Sequence, residues 1–148
     1  MSKIMKMTMS ALAVLLMSST VATTANAATW HKGTPKALRG KWVHSVKKLQ
    51  KYVDGKGVGT EQIYCDKNEF SFAYYKKNKP LFPMYGLTNT KYKKISTTKY
   101  LLKGEFGNSG MSKTEPNTQI QIVKHGNKIK YKYSWSTHNK YSKWFYKV

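Results

Sequence analysis

The chain has almost no cysteine, almost no arginine and little negative charge. Cys65 is the single cysteine in 148 residues, so an internal disulfide is excluded. The folded chain must then rely on apolar packing where many small domains use disulfides. Arg39 is the only arginine among 27 basic residues. Planar, bidentate recognition of carboxylate or phosphate favours arginine, whereas lysine acts as a mobile point charge. Acidic residues number six, namely Asp54, Glu61, Asp66, Glu69, Glu105 and Glu115, and most fall in or beside turn signals. The four histidines, His31, His44, His125 and His138, are scattered, and none stands at metal-ligand spacing from another. Cys65 paired with His44 is the one nucleophile arrangement on offer, and it lacks a visible activating environment. No catalytic, metal or cofactor motif emerges, and a non-enzymatic protein without a cofactor is the expectation.

Long apolar runs are also missing. The one uninterrupted stretch, Ala11 to Met17, is too short for a membrane span, which needs about 20 residues. It follows Lys3 and Lys6 and precedes Ala25-Asn26-Ala27, the layout of a cleavable secretory signal. Cleavage after Ala27 is expected, giving a secreted, extracellular or cell-wall-associated product with no membrane span. The chain divides into a signal at 1–27, a short leader at 28–37 and one β domain at 38–148. Lys3 and Lys6 leave with the signal, lowering the formal net charge from +21 by two, to +19.

What the mature part has in quantity is aromatic side chains and lysines. Four tryptophans, eleven tyrosines and five phenylalanines are ample for a core in a domain of this size. Period-2 alternation marks short strands. Leu38, Gly40, Trp42, His44 and Val46 share one face, and Phe70, Phe72 and Tyr74 share another after a turn at Asp66-Lys67. The clearest hairpin runs from Thr118 to Lys124, turns at His125-Gly126-Asn127, and returns through Ile129, Tyr131, Tyr133 and Trp135. Lys128, Lys130 and Lys132 alternate with those aromatics, as a strand with one buried and one wet face requires. Further strands are predicted at 91–95, 98–106 and 141–147. Leu81 to Gly86, bracketed by Pro80 and Pro83, reads as an aromatic loop, with Phe82 to Tyr85 as a candidate contact surface. Tyr131, Tyr133, Trp135, Trp144 and Tyr146 read as core before they read as a ligand platform. The pattern predicts an all-β protein, a small antiparallel up-and-down barrel of seven or eight strands, with a sandwich as the alternative.

The lysines gather at Lys76, Lys77 and Lys79, at Lys91, Lys93 and Lys94, and at Lys128, Lys130 and Lys132. A solvated outer face explains the alternation, but +19 exceeds what solubility requires. Outside a cell the expected partners are anionic wall polymers such as teichoic acids or acidic polysaccharides. Nucleic acid is a secondary partner for an exported chain. Such binding weakens as salt rises, because it is driven by counterion release.

Two local resemblances add to this. Trp30-His31-Lys32-Gly33-Thr34-Pro35-Lys36-Ala37-Leu38-Arg39-Gly40-Lys41-Trp42 resembles the opening of a group of small secreted Lys- and Tyr-rich proteins of lactobacilli, which implies an exported Gram-positive protein. Gly40-Lys41-Trp42 is similar to the G-x-W of lipocalins, in which the tryptophan plugs one barrel end beneath an arginine from the last strand. That resemblance implies a carrier of a small apolar ligand as the alternative function. It also makes Trp42 and Arg39 the candidate barrel-closing pair, Arg39 standing in for the absent last-strand arginine.

Overall fold

A computed structural model describes residues 29–46, 59–108, 113–134 and 140–148. The expected signal peptide, Asp54, Trp135 and His138 lie outside the described residues, as does most of the stretch following Val46. Nine strands form one sheet: β1 (His31–Lys32), β2 (Gly40–Val46), β3 (Gly59–Cys65), β4 (Phe70–Lys76), β5 (Lys79–Lys94), β6 (Lys99–Asn108), β7 (Glu115–His125), β8 (Lys128–Tyr133) and β9 (Phe145–Lys147). From β2 to β9 each strand pairs antiparallel with its successor, and β9 returns to β2 through Trp42 opposite Lys147 and Val43 opposite Tyr146. The result is a closed eight-stranded up-and-down barrel. Closure leaves the barrel strands without a free edge along which other chains would pair. β1 is an appendage that lies along β5, with His31 opposite Tyr92 and Lys32 opposite Lys91.

Alternation builds the interior. Trp42, Ile63, Cys65, Phe70, Phe72, Leu87, Leu102, Ile120, Ile122, Ile129, Tyr131 and Phe145 are buried in one cluster with Leu38. Phe72 stacks on Tyr131 at 5.7 Å and on Tyr85 at 5.8 Å, and Tyr85 stacks on Phe106 at 6.2 Å. Such pairs contribute about 0.5–1.5 kcal/mol each beyond the area they bury. Rings therefore do the work that disulfides do in many small domains.

Trp42 is fully buried and donates its indole N–H to the Leu38 carbonyl at 2.8 Å. Leu38 belongs to a single 3-10 turn, Lys36–Leu38, so the first barrel strand starts at Gly40 rather than at Leu38. The cation over Trp42 is not Arg39. Lys147 of β9 sets its ammonium 5.5 Å from the indole centroid. Gly40 makes room for it, since a Cβ there would stand 3.2 Å from Lys147 Cε, on a backbone with φ of +124° that side-chain-bearing residues avoid. Arg39 instead donates from Nη2 to the Thr34 carbonyl at 2.9 Å, tying down the segment before the barrel. The cation paired with Trp42 is thus Lys147.

Two other expectations are corrected. Leu81 to Gly86 is not a loop but part of the sixteen-residue β5. The pairing of β4 with β5 shifts register between Phe72 and Tyr74, and that irregularity accommodates Pro83, which has no N–H for a regular ladder. Tyr85 accordingly points into the barrel against Phe72 and Phe106, not outward as a contact surface. The closing strand is also shorter than 141–147. Only Phe145–Lys147 pairs as a strand. The preceding residues are held to β8 by Ser142, whose N–H donates to the Tyr131 carbonyl at 2.8 Å and whose Oγ accepts from the Tyr131 N–H at 3.0 Å.

Candidate anionic-polymer interface

The strand register decides which lysines meet. On β8, Ile129 and Tyr131 are buried, so Lys128, Lys130 and Lys132 face outward. On β6, Tyr100 and Leu102 are buried, so Lys99 and Lys103 face outward as well. Tyr92 lies opposite Leu102, which sends Lys91 and Lys93 of β5 to the same outer side. The outer wall of β5 to β8 therefore carries Lys91, Lys93, Lys99, Lys103, Lys128, Lys130 and Lys132. Gln119, Gln121 and Val123 of β7 run through its middle: Lys99 and Lys130 flank Val123, and Leu101 and Lys132 flank Gln121. Lys91 and Lys103 are direct Cα partners.

Aromatic rings frame both margins. Lys128 and Lys130 each hold their ammonium 4.8 Å from the Trp144 centroid, and Lys130 and Lys132 lie 4.8 and 5.3 Å from that of Tyr141. At the opposite margin Lys93 lies 5.2 Å from the Trp30 centroid. Each contact at such a half-exposed place is worth about 0.5–1 kcal/mol. Together they hold flexible lysine stems upright on the wall. Trp144 and Tyr141 are thus neither core nor a bare platform; they support the lysines.

Depressions on this wall include two beside its lysines. One, of about 230 Å³, is lined by Ile95, Leu101, Gln119, Gln121, Lys132 and Ser134. The other, of about 400 Å³, lies between Trp30, Lys91, Lys103 and Glu105. No family model, curated protein or solved structure matches the chain. The wall's chemistry must therefore be read from its own residues.

Of the lysines singled out in the sequence, Lys91, Lys93, Lys128, Lys130 and Lys132 come together here. Lys94 falls opposite the inward-facing Tyr100 at the end of its strand, off the wall. Lys76, Lys77 and Lys79 belong to the β4–β5 hairpin tip, where Lys77 and Asn78 both take positive φ, and they form a separate cluster. Lys99 and Lys103 were invisible as cluster members, since each stands alone in sequence and joins the wall only through register.

The catalytic alternatives do not assemble. Cys65 pairs with Gly40 and His44 with Glu61, so the two residues stand four positions apart along β2 and β3, about 13 Å at 3.3 Å per residue. Burial pushes the Cys65 thiol up to about 11, away from the thiolate that a nucleophile needs. Asp66 accepts N–H bonds from Asn68 at 2.7 Å and Glu69 at 2.8 Å, which shapes the turn. Glu61 is the one interior carboxylate among the described residues. It accepts a hydrogen bond from the Tyr131 hydroxyl at 3.0 Å, and burial raises its pKa against the opposing effect of that bond. Among the described residues no three His, Cys, Asp or Glu side chains converge on a metal-sized space.

Proposed function

We propose that the protein is a non-enzymatic extracellular binder of anionic surface polymers, teichoic acids or acidic polysaccharides, engaged through the outer wall of β5 to β8. The carrying observation is the placement of Lys91 directly opposite Lys103. Like charges directly opposite on neighbouring strands destabilise a sheet. A soluble surface has no use for that cost, whereas an incoming polyanion relieves it. Export after cleavage at Ala27 belongs to the same reading, because it places the wall among such polymers.

The test is retention on intact cell walls. The processed protein should be held at low salt and released by moderate salt, and retention should fall when teichoic acid is stripped from the walls. Retention insensitive to salt would sink the reading. The alternative, a carrier of a small apolar ligand, draws on the closed barrel and on Glu61 with Tyr131 as a polar anchor inside it. The packed rings of Phe72, Tyr85, Phe106, Tyr131 and Tyr133 occupy the space that such a ligand needs, and this favours the wall over the interior.

A further inference from the structure

The larger depression on the cationic wall has a construction that attraction to charge alone does not require. The β5–β6 ladder shifts register between Thr88 and Lys91, and the β6–β7 ladder shifts between Gly104 and Phe106. Two irregularities therefore flank the dipeptide Gly104-Glu105. At each one an asparagine takes a left-handed backbone, Asn89 with φ of 50° and Asn117 with φ of 61°. Bulges of this kind re-aim side chains and concentrate beside functional sites. Gly104 lets the strands close beneath the depression, since a Cβ there would lie 2.5 Å from the Thr88 carbonyl oxygen.

The margin of the depression is fixed as firmly. Trp30 is 38% exposed and is carried by the residue before β1. That segment is clamped by His31 against Tyr92 at 5.1 Å, and by the Gly33 N–H donating to the Thr90 carbonyl at 2.7 Å. Asn89 donates from Nδ2 to Glu105 Oε1 at 3.1 Å. That bond orients both groups at the lining of the depression. Lys91 and Lys103 stand alongside.

A polyphosphate needs the lysines and nothing else. An indole face, an amide–carboxylate pair and two ammonium groups around 400 Å³ suit a different ligand. The space is at the small end of the range for small-molecule sites. The indole offers an apolar surface to the C–H face of a sugar ring. Asn89 and Glu105 offer donors and acceptors together, matching hydroxyls that both donate and accept. Lysine pairs with an anionic substituent. We infer that this depression is a subsite for one anionic pyranose unit, a sugar ring bearing a carboxylate or phosphate, within the polymer that the wall holds. The inference rests on the wall reading above and narrows its ligand class to acidic glycans.

The test uses the processed full chain with three probes of equal length: an oligomer of galacturonate, its neutral galactose counterpart and linear polyphosphate. At physiological salt the uronide should bind about tenfold tighter than polyphosphate per charge, roughly 1.4 kcal/mol in favour of the sugar ring. Asn89→Gly, which keeps the left-handed backbone and removes only the amide, should abolish that margin while leaving polyphosphate affinity within about twofold, and Trp30→Ala, which also removes the support of Lys93, should cost the uronide several-fold more than it costs polyphosphate. Uronide and polyphosphate binding equally, or Trp30→Ala weakening both alike, would overturn the subsite and leave the wall standing. The neutral oligomer binding as well as the uronide would overturn its anionic character. Binding of neither charged probe would overturn the wall reading itself. Trp30 precedes β1 and lies outside the buried cluster, so the fold should survive its loss, which an unchanged circular dichroism spectrum would verify.

Discussion

The two walls of this barrel are built from the same alternation but face solvent differently. Across β2, β3 and β4 the outward positions are Lys41, Val43 and Ser45, then Thr60, Gln62 and Tyr64, then Ser71, Ala73 and Tyr75. Lys41 is the one lysine among them, and it lies 5.6 Å from the Tyr64 centroid. Gln62 donates to Thr60 at 2.9 Å and accepts from Tyr64 at 3.0 Å, so this wall satisfies itself. Across β5 to β8 seven lysines stand out, two of them opposed. A net charge made merely for solubility has no reason to choose sides. The difference teaches that position, and not total charge, is the quantity to perturb.

The largest effect is expected from Lys91, Lys103, Lys130 and Lys132 replaced together by Gln. Each lysine lost from a polyanion contact lowers the slope of log affinity against log salt by roughly 0.7–0.9. Four should cost on the order of a hundredfold in affinity at moderate salt, read by titration with polyphosphate or by wall retention. Lys41→Gln on the other wall should change it less than about twofold. If both variants weaken binding in proportion to charge removed, the contrast between walls is lost.

A smaller effect tests position alone. Lys91→Gln and Lys103→Gln combined with Ser45→Lys and Thr60→Lys moves a directly opposed pair from one wall to the other at constant net charge, because Ser45 and Thr60 are also Cα partners. Affinity should fall by about tenfold, the scale of two point-charge contacts. Unchanged affinity would show that only net charge matters.

Smaller still is the expected gain in stability of Lys103→Gln, about 0.2–1 kcal/mol from relief of the opposition with Lys91. Chemical denaturation should give a higher midpoint for a variant that binds more weakly. A loss of stability would mean that the lysine contributes more by packing than it costs by repulsion.

The smallest effect concerns the interior that both walls share. Burial raises the Glu61 pKa above the ordinary carboxylate value of 4.5, so the folded protein keeps this proton to higher pH than the unfolded chain does. Its contribution to stability is complete below the unfolded value and declines as pH rises through the folded one. Glu61→Gln should flatten the pH dependence of the melting temperature above about 4.5 and raise it slightly at neutral pH. A steeper fall in the variant would contradict the burial argument.

Much of the barrel was legible in the sequence because its alternation is clean. The β7–β8 hairpin follows directly from Ile129, Tyr131 and Tyr133 against Lys128, Lys130 and Lys132, and the same alternation puts Trp42 on the inner face. Leu81 to Gly86 was misread because Pro80 and Pro83 signal a break in any local pattern, while the register shift that absorbs Pro83 depends on a partner strand. Lys99, Lys103 and Lys147 could not be assigned, since what matters about them is what lies across a ladder far away in the chain. The subsite is harder still. Its signals are two asparagines inside strand-like stretches, the residue type that most readily accepts a left-handed backbone, and nothing local says that both face Trp30.

Cys65 has one more use. Cys65 is 4% exposed and burial pushes its thiol up to about 11, so the folded protein holds it in the unreactive thiol form at neutral pH. Oxidation cannot then couple two copies while the barrel holds, and a thiol reagent must wait for it to open. The rate at which an unmodified sample takes up such a reagent is therefore a clock for unfolding, built into the chain by its lone cysteine.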